Sequence, residues 1–259
     1  MANLGIQSLC LVDLLYSCIG VPFVIFLYNR DTVKEGLVDQ TVFDPLWCIP
    51  NFFFSCSLHH IGLITLDRFI SITRPLEYTV SSINRRRFVV CFIGCIWVIN
   101  SFWCFGTTIS FQCFCNDSYR KIVFIVCQAV FWLLPICIII AMYLLMGYEV
   151  FIKKPFDGRV GGAQGVQLRG AVTTFWIVLA LIVSSLPHSL YYFIHLVYDG
   201  HMVGLSSSTQ RIISVLLQFL KVSNCFINPV IYSLRMKSIR TTLISTLRPR
   251  RNVNIYFIS

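Results

Sequence analysis

Charge is scarce in this chain. Only 12% of its 259 residues are Asp, Glu, Lys or Arg, whereas a soluble domain carries about 25%. Such a composition excludes an ordinary water-soluble globule. Acidic residues are scarcer still, 11 against 21 Lys and Arg, and the formal charge is +10. A basic balance of that size can accompany nucleic-acid binding. Here the basic residues fall in short segments between apolar runs rather than on a polar face, and nucleic acid is not an expected partner. No C-x-x-C…C-x-x-C arrangement occurs among the 12 cysteines, so a structural zinc site has no support. There is no nucleophile–base pair and no phosphate-cradling loop, and enzyme chemistry has no positive signal. The first residues lack a basic leader and are interrupted by Asp13, unlike a cleavable signal. No internal repeat or low-complexity tract stands out.

What is present is apolar surface. The chain is 56% hydrophobic and holds 22 Phe. A helix crosses a bilayer with roughly 20 apolar residues, and six runs reach that length. They lie at about Leu4–Tyr28, Phe43–Leu66, Phe88–Ile109, Ile122–Met146, Ala171–Val197 and Ile212–Leu234. Pro22, Pro135, Pro187 and Pro229 lie inside runs; membrane helices tolerate them as kinks. The fold class expected is all-α, a polytopic membrane helical bundle. Most cysteines sit within the runs, where a thiol behaves as a small hydrophobe. Cys113 and Cys115 fall in a polar loop and are the better disulfide candidates.

Lys and Arg set the orientation. Arg68, Arg74, Arg85–Arg87, Lys153, Lys154, Arg159, Arg169 and the basic residues from Arg235 to Arg251 share one side. Only Arg30, Lys34, Arg120, Lys121 and Arg211 lie on the other. The first side is expected to be cytoplasmic, with both termini there. The N-x-S/T sequon at Asn116 then lies outside, where it can be glycosylated. Gly158–Gly165 reads as a flexible cytoplasmic loop.

Two apolar runs end in motifs. Leu66-Asp67-Arg68-Phe69-Ile70-Ser71-Ile72-Thr73-Arg74-Pro75-Leu76 closes the second, and Asn224-Cys225-Phe226-Ile227-Asn228-Pro229-Val230-Ile231-Tyr232 closes the sixth. Together they resemble the Asp-Arg-Tyr and Asn-Pro-x-x-Tyr signatures of rhodopsin-like (class A) G-protein-coupled receptors. The likeness extends over nearly the whole chain. Leu9–Leu15 with Asp13 resembles the family's second helix, Trp97 the lone Trp of helix four, Pro135 and Tyr143 helix five, and Pro187 the kink of helix six. Ser233–Leu247 resembles the short amphipathic helix along the inner membrane face. On this resemblance residues 1–259 form one domain holding helices two to seven, with a cytoplasmic tail from about residue 234. No counterpart of the family's first helix, with its Gly-Asn pair, is recognised. The expectation is poor folding of such a chain on its own.

The resemblance implies roles. Asp67 restrains Arg68 at rest, and activation turns Arg68 towards Tyr143, Tyr232 and the terminal helix of a heterotrimeric G protein. Leu76 plugs into the G-protein α subunit, and Asn228 and Pro229 belong to the switch. Asp13 is the costliest residue of its run, at roughly 2.5–3.5 kcal/mol mid-membrane. By resemblance its partners are Ser57, Asn224 and Asn228, arranged around an allosteric sodium ion; a protonated Asp13 in a network without an ion is the alternative. No other cofactor is expected. Cys48 pairs with Cys113 or Cys115 in this reading, although the family's outer cysteine falls at Phe43.

Departures cluster where a ligand is sensed. Ser184-Ser185-Leu186-Pro187 stands where the family has Cys-Trp-x-Pro, and Leu181 replaces a Phe. No Glu appears near Gln167 and Arg169 to supply a second lock on Arg68. Pro50 occupies the position of the Asp that holds amines, which argues against a monoamine ligand. Lys221 is one residue short of the place of the retinal-linking Lys, taken by Val222, and one residue turns a helix by about 100°. Lys221 therefore either faces the outer cavity with Gln218 and selects an acidic ligand, or partners the Asp13 cluster. His188, Tyr192 and His195 share a helical face and, with Asn51 and Phe54, complete the candidate ligand pocket. His59 and His60 point apart and make a poor metal pair. The function so implied is a plasma-membrane receptor coupling an unidentified extracellular ligand to a G protein. The alternatives are a truncated non-signalling receptor acting through heteromers, and a transporter or channel using Asp13 and Lys221.

Overall fold

The computed structural model describes residues 2–33, 48–74, 78, 82–113, 122–123, 126, 129–149, 163–197, 206–235 and 241, some of them near helix ends by backbone alone. All described elements are helical and no strand occurs among them. Helix α1 (Ala2–Leu15) passes through a π-helical turn (Tyr16–Gly20) into α2 (Val21–Val33). Then come α3 (Cys48–Thr73), α4 (Ser82–Cys113), a second π-helical turn (Ala129–Leu133) running into α5 (Leu134–Tyr148), α6 (Ala163–Val197) and α7 (Ser207–Arg235). Six spans are long and apolar enough to cross a membrane: Leu4–Asn29, Cys48–Thr73, Arg86–Gly106, Ala129–Tyr148, Thr174–Ile194 and Ser208–Ile231. α3 continues seven residues past Leu66, carrying the helix through Asp67 and Arg68 to Thr73. The expected amphipathic helix at 233–247 lies largely outside the described residues.

Each π turn is followed closely by a proline, Pro22 or Pro135. A proline ring crowds the carbonyl four residues back and offers no N–H to it. A widened turn relieves both problems. At the first turn the Val21 N–H reaches back to the Tyr16 carbonyl, five residues earlier. The Tyr16 ring lies across Gly20, where any Cβ would run into its edge. Pro187 and Pro229 lie inside α6 and α7.

The bundle is built around α3. Its most apolar window is 67% buried, against 22% for α4 and α5, so α3 is the axis and the latter two face outward. One core joins Leu9, Leu58, Ile61, Ile64, Ile139, Ile177 and Leu181 of α1, α3, α5 and α6. A second, aromatic core joins Tyr16, Phe53, Phe54, Trp132, Val222 and Cys225 nearer the other end. A third packs Val12, Cys56 and Leu63 against Val89 and Ile96 of α4, with Trp97 beside them. Polar contacts pin the helices: Ser55 Oγ donates to Asn100 Oδ1 at 2.6 Å, and Ser8 Oγ meets His60 Nε2 at 2.8 Å. Outward-facing Phe102, Leu144 and Phe219 are about two-thirds or more exposed (76%, 70% and 68%). Lipid-facing side chains need no covering by protein.

Candidate functional site

Three polar stations lie along the α3 axis, within surroundings that are otherwise apolar. The first is at the end of α3. Asp67 Oδ2 pairs with Arg68 Nη2 at 3.3 Å. The hydroxyl of Tyr78 donates to the same carboxylate, 3.3 Å from Oδ1 and 3.2 Å from Oδ2. Tyr78 belongs to a helical turn just past α3, its N–H bonded to the Arg74 carbonyl. The sequence reading did not include Tyr78. It sits eleven residues from Asp67, which in a continuous helix is three turns and about 16 Å away, so spacing alone does not predict the contact.

Tyr143 of α5 is at the same level. Its ring contacts Phe175 of α6 at 6.2 Å between centroids, and its hydroxyl is buried. The backbone of Tyr232 lies in the last turn of α7, but its side chain, like Leu76 altogether, lies outside the described residues.

The second station is mid-helix. Asp13 is 1% exposed, so each carboxylate oxygen must find a partner or remain costly. Ser57 Oγ donates to Oδ1 at 2.9 Å and Asn228 Nδ2 to Oδ2 at 3.0 Å, drawing α1, α3 and α7 together. Asn224 is buried one turn away and accepts from Ser184 Oγ at 3.5 Å. No described hydrogen bond joins Asn224 to Asp13. Asn228 Oδ1 is buried without a hydrogen-bond partner. Ser17 Oγ bonds the Asp13 carbonyl at 2.8 Å and reaches Cys225 Sγ at 3.4 Å. Ser184 and Ser185, which stand where the family has Cys and the bulky Trp, are both buried, and Ser184 is the one that meets α7.

The third station surrounds Lys221, which is 1% exposed. Its Nζ donates to Asn51 Oδ1 at 3.2 Å and lies 4.3 Å from the ring centres of both Phe54 and Trp132. It makes no ion pair with Asp13. Phe54 and Trp132 meet edge to face at 5.4 Å, Trp132 lies 6.4 Å from His188, and His188 stacks on Tyr192 at 4.5 Å. Gln218 is buried beside them. Asn51, Phe54, His188, Tyr192, Gln218 and Lys221 thus form one group, to which the sequence reading had not assigned Trp132. Trp132 comes from the π turn ahead of α5 and shares an inward face with Ile136 and Ile139; that spacing marks it as a core residue but does not say which residue of α7 it meets. The His195 side chain lies outside the described residues.

Cys48 opens α3, and its carbonyl accepts the Cys104 thiol of α4 at 2.7 Å. Cys113 is the last residue of α4 rather than part of a loop, because the helix runs on past the apolar segment; its side chain, Cys115 and Asn116 lie outside the described residues, and so does any pairing of Cys48 with Cys113 or Cys115. His59 and His60 each bond the carbonyl four residues back through Nδ1, at 2.7 Å. No group of three or more His, Cys, Asp or Glu that could hold a metal occurs among the described residues.

Long apolar helices with buried polar stations, and an acid–arginine pair near one end of the central helix, define a polytopic helical bundle of membrane type. The chain belongs to the 7 transmembrane receptor (rhodopsin family), whose model matches residues 1–232. That is a family of receptors, not of enzymes. The chain is similar to human olfactory receptor 2T1, 22% identical across 92% of this chain and 65% of that receptor. It resembles human olfactory receptor 2T34 at 23% identity, across 95% of this chain and 78% of that one. A shorter match, 29% identical, links 39% of the chain to 22% of the alpha-2 adrenergic receptor of Labrus ossifagus. The chain thus spans under two thirds of two of these relatives.

Proposed function

We propose that this protein is a plasma-membrane receptor that transmits binding of an extracellular ligand to a heterotrimeric G protein. In this reading the Arg68 end and the C-terminus face the cytoplasm. The observation that carries it is the clamp at the end of α3. Asp67 holds Arg68, Tyr78 holds Asp67, and Arg68 stays 15% exposed at a helix end. Such a clamp has two states, closed on itself or opened onto a partner. A ligand and a G protein that both prefer the open state are then coupled by population shift alone. Leu76, Tyr143, Pro229 and Tyr232 complete the docking face.

An oxygen-lined sodium site belongs to the same proposal. Asp13, Ser57, Asn224 and Asn228 offer the oxygens a hard cation takes, and the unpartnered Asn228 Oδ1 is the observation that fits one. When bound, the ion supplies positive charge beside Asp13.

The test is agonist-independent nucleotide exchange on G proteins by the full chain in membranes. Exchange that falls to background in Arg68→Ala supports the proposal; exchange retained in that variant overturns the role of Arg68. Ion flux through reconstituted vesicles would replace the proposal with a transport function.

A further inference from the structure

We propose that the box around Lys221 is a binding site for a small carboxylate with an apolar body; the inference rests on the receptor reading and names its ligand class. The argument starts from hydrogen-bonding capacity. A lysine ammonium has three donors and no acceptor. One donor reaches Asn51 Oδ1, and two aromatic faces flank the rest. Among the described residues no carboxylate pairs with Lys221, whose side chain is almost fully enclosed.

The neighbours are also under-used. The indole N–H of Trp132 is buried without an acceptor. The ring nitrogens of His188 make no hydrogen bond of good geometry, although the Gln218 amide stands beside them. Buried polar groups without partners are rare, and each asks for an explanation. Here a cation lies against the face of an indole whose own N–H has no partner, beside imidazole and amide groups that can also donate. A carboxylate answers that pattern, because it only accepts and has lone pairs for about four donors.

The walls select the rest of the ligand. Phe54, Trp132 and His188 present aromatic surface, which suits an apolar or aromatic body. A ligand ammonium would meet Lys221 as a like charge, and a site built this way disfavours amines. Contact with Lys221, Trp132 and Phe54 would also touch α7, the π turn ahead of α5 and α3 together. Those elements converge on α3, whose other end carries Arg68.

The test uses the full chain in lipid nanodiscs and its melting temperature, with no G protein present. The probes are phenylacetate and indole-3-acetate, with phenethylamine and tryptamine as the amines of matched skeleton. At a hundredfold excess over Kd a ligand that binds only the folded state raises Tm by about 5 °C or more. The carboxylates are expected to raise Tm, the amines to leave it unchanged, and Lys221→Met to abolish the shift. Trp132→Phe keeps an aromatic face and removes the N–H. It is expected to weaken the carboxylates about tenfold, which tests the site even if Lys221→Met fails to fold. A shift retained in Lys221→Met, a shift by the amines instead, or no shift by either carboxylate overturns the inference. The melt is independent of G-protein coupling. Loss of nucleotide exchange with the carboxylate shift intact would therefore sink the receptor reading and leave the site standing.

Discussion

Tyr78 and Gly20 show how much single side chains decide in a bundle of this kind. With no acidic residue near Gln167 and Arg169 to hold Arg68 from α6, the clamp depends on what holds Asp67. The Tyr78 hydroxyl spans both oxygens of that carboxylate. A hydrogen bond to a charged group is worth about 1.5 kcal/mol or somewhat more, enough for roughly a tenfold change in a two-state ratio. Tyr78→Phe keeps the ring and removes the bond. We expect basal nucleotide exchange to rise about tenfold in that variant with surface abundance unchanged; an unchanged basal rate would show that Arg68 is restrained by other means. Gly20 is a packing case. Its missing Cβ leaves the space that the Tyr16 ring fills. Gly20→Ala forces that ring or the turn to move, at a cost of about 1–3 kcal/mol. The melting temperature of the purified protein is expected to fall, and Tyr16→Ala in the same chain should recover part of the loss by vacating the space.

At the scale of elements, the membrane runs were legible because lipid leaves few options. A segment must satisfy its own backbone and stay apolar for the full thickness, and that requirement writes itself into composition. The end of α3 was less legible. The apolar run stops at Leu66, yet the helix continues to Thr73, because backbone bonds persist after the sequence turns polar. The π turns were not legible at all. Pro22 and Pro135 announced an irregularity, but whether a proline kinks a helix or widens a turn depends on what packs against it. Trp132 shares its inward face with Ile136 and Ile139 at ordinary helical spacing, but a helical face does not name the residue of another helix that it meets, and its place beside Lys221 was not legible for that reason. Ser55 and Asn100, bonded at 2.6 Å between α3 and α4, are a second such case: each reads alone as a polar residue in a membrane run, and only packing makes them a pair.

For the whole molecule, the proposal of a cytoplasmic Arg68 end makes a topological prediction. An epitope placed after Ser259 is expected to bind antibody only in permeabilised cells, and one in the segment joining α4 to α5 in intact cells. Staining of the C-terminal epitope on intact cells would reverse the orientation and with it the docking face. The same whole-molecule view separates the two intramembrane charges. Asp13 and Lys221 are both single polar interruptions of apolar runs, and sequence alone left open whether they pair. In the bundle Asp13 takes Ser57 and Asn228, while Lys221 takes Asn51 and two aromatic rings.

Composition, hydropathy and two short motifs were sufficient to determine an all-helical membrane bundle of this receptor family, because length, apolarity and charge placement are local properties that each segment carries by itself. Tertiary structure alone decided that Tyr78 braces Asp67, that Trp132 and Phe54 enclose Lys221, and that Ser184 rather than Asp13 reaches Asn224. Those are relations between segments, fixed by helix rotation, by the width of single turns and by which side chain fills a gap left by another, and no run of neighbouring residues records them.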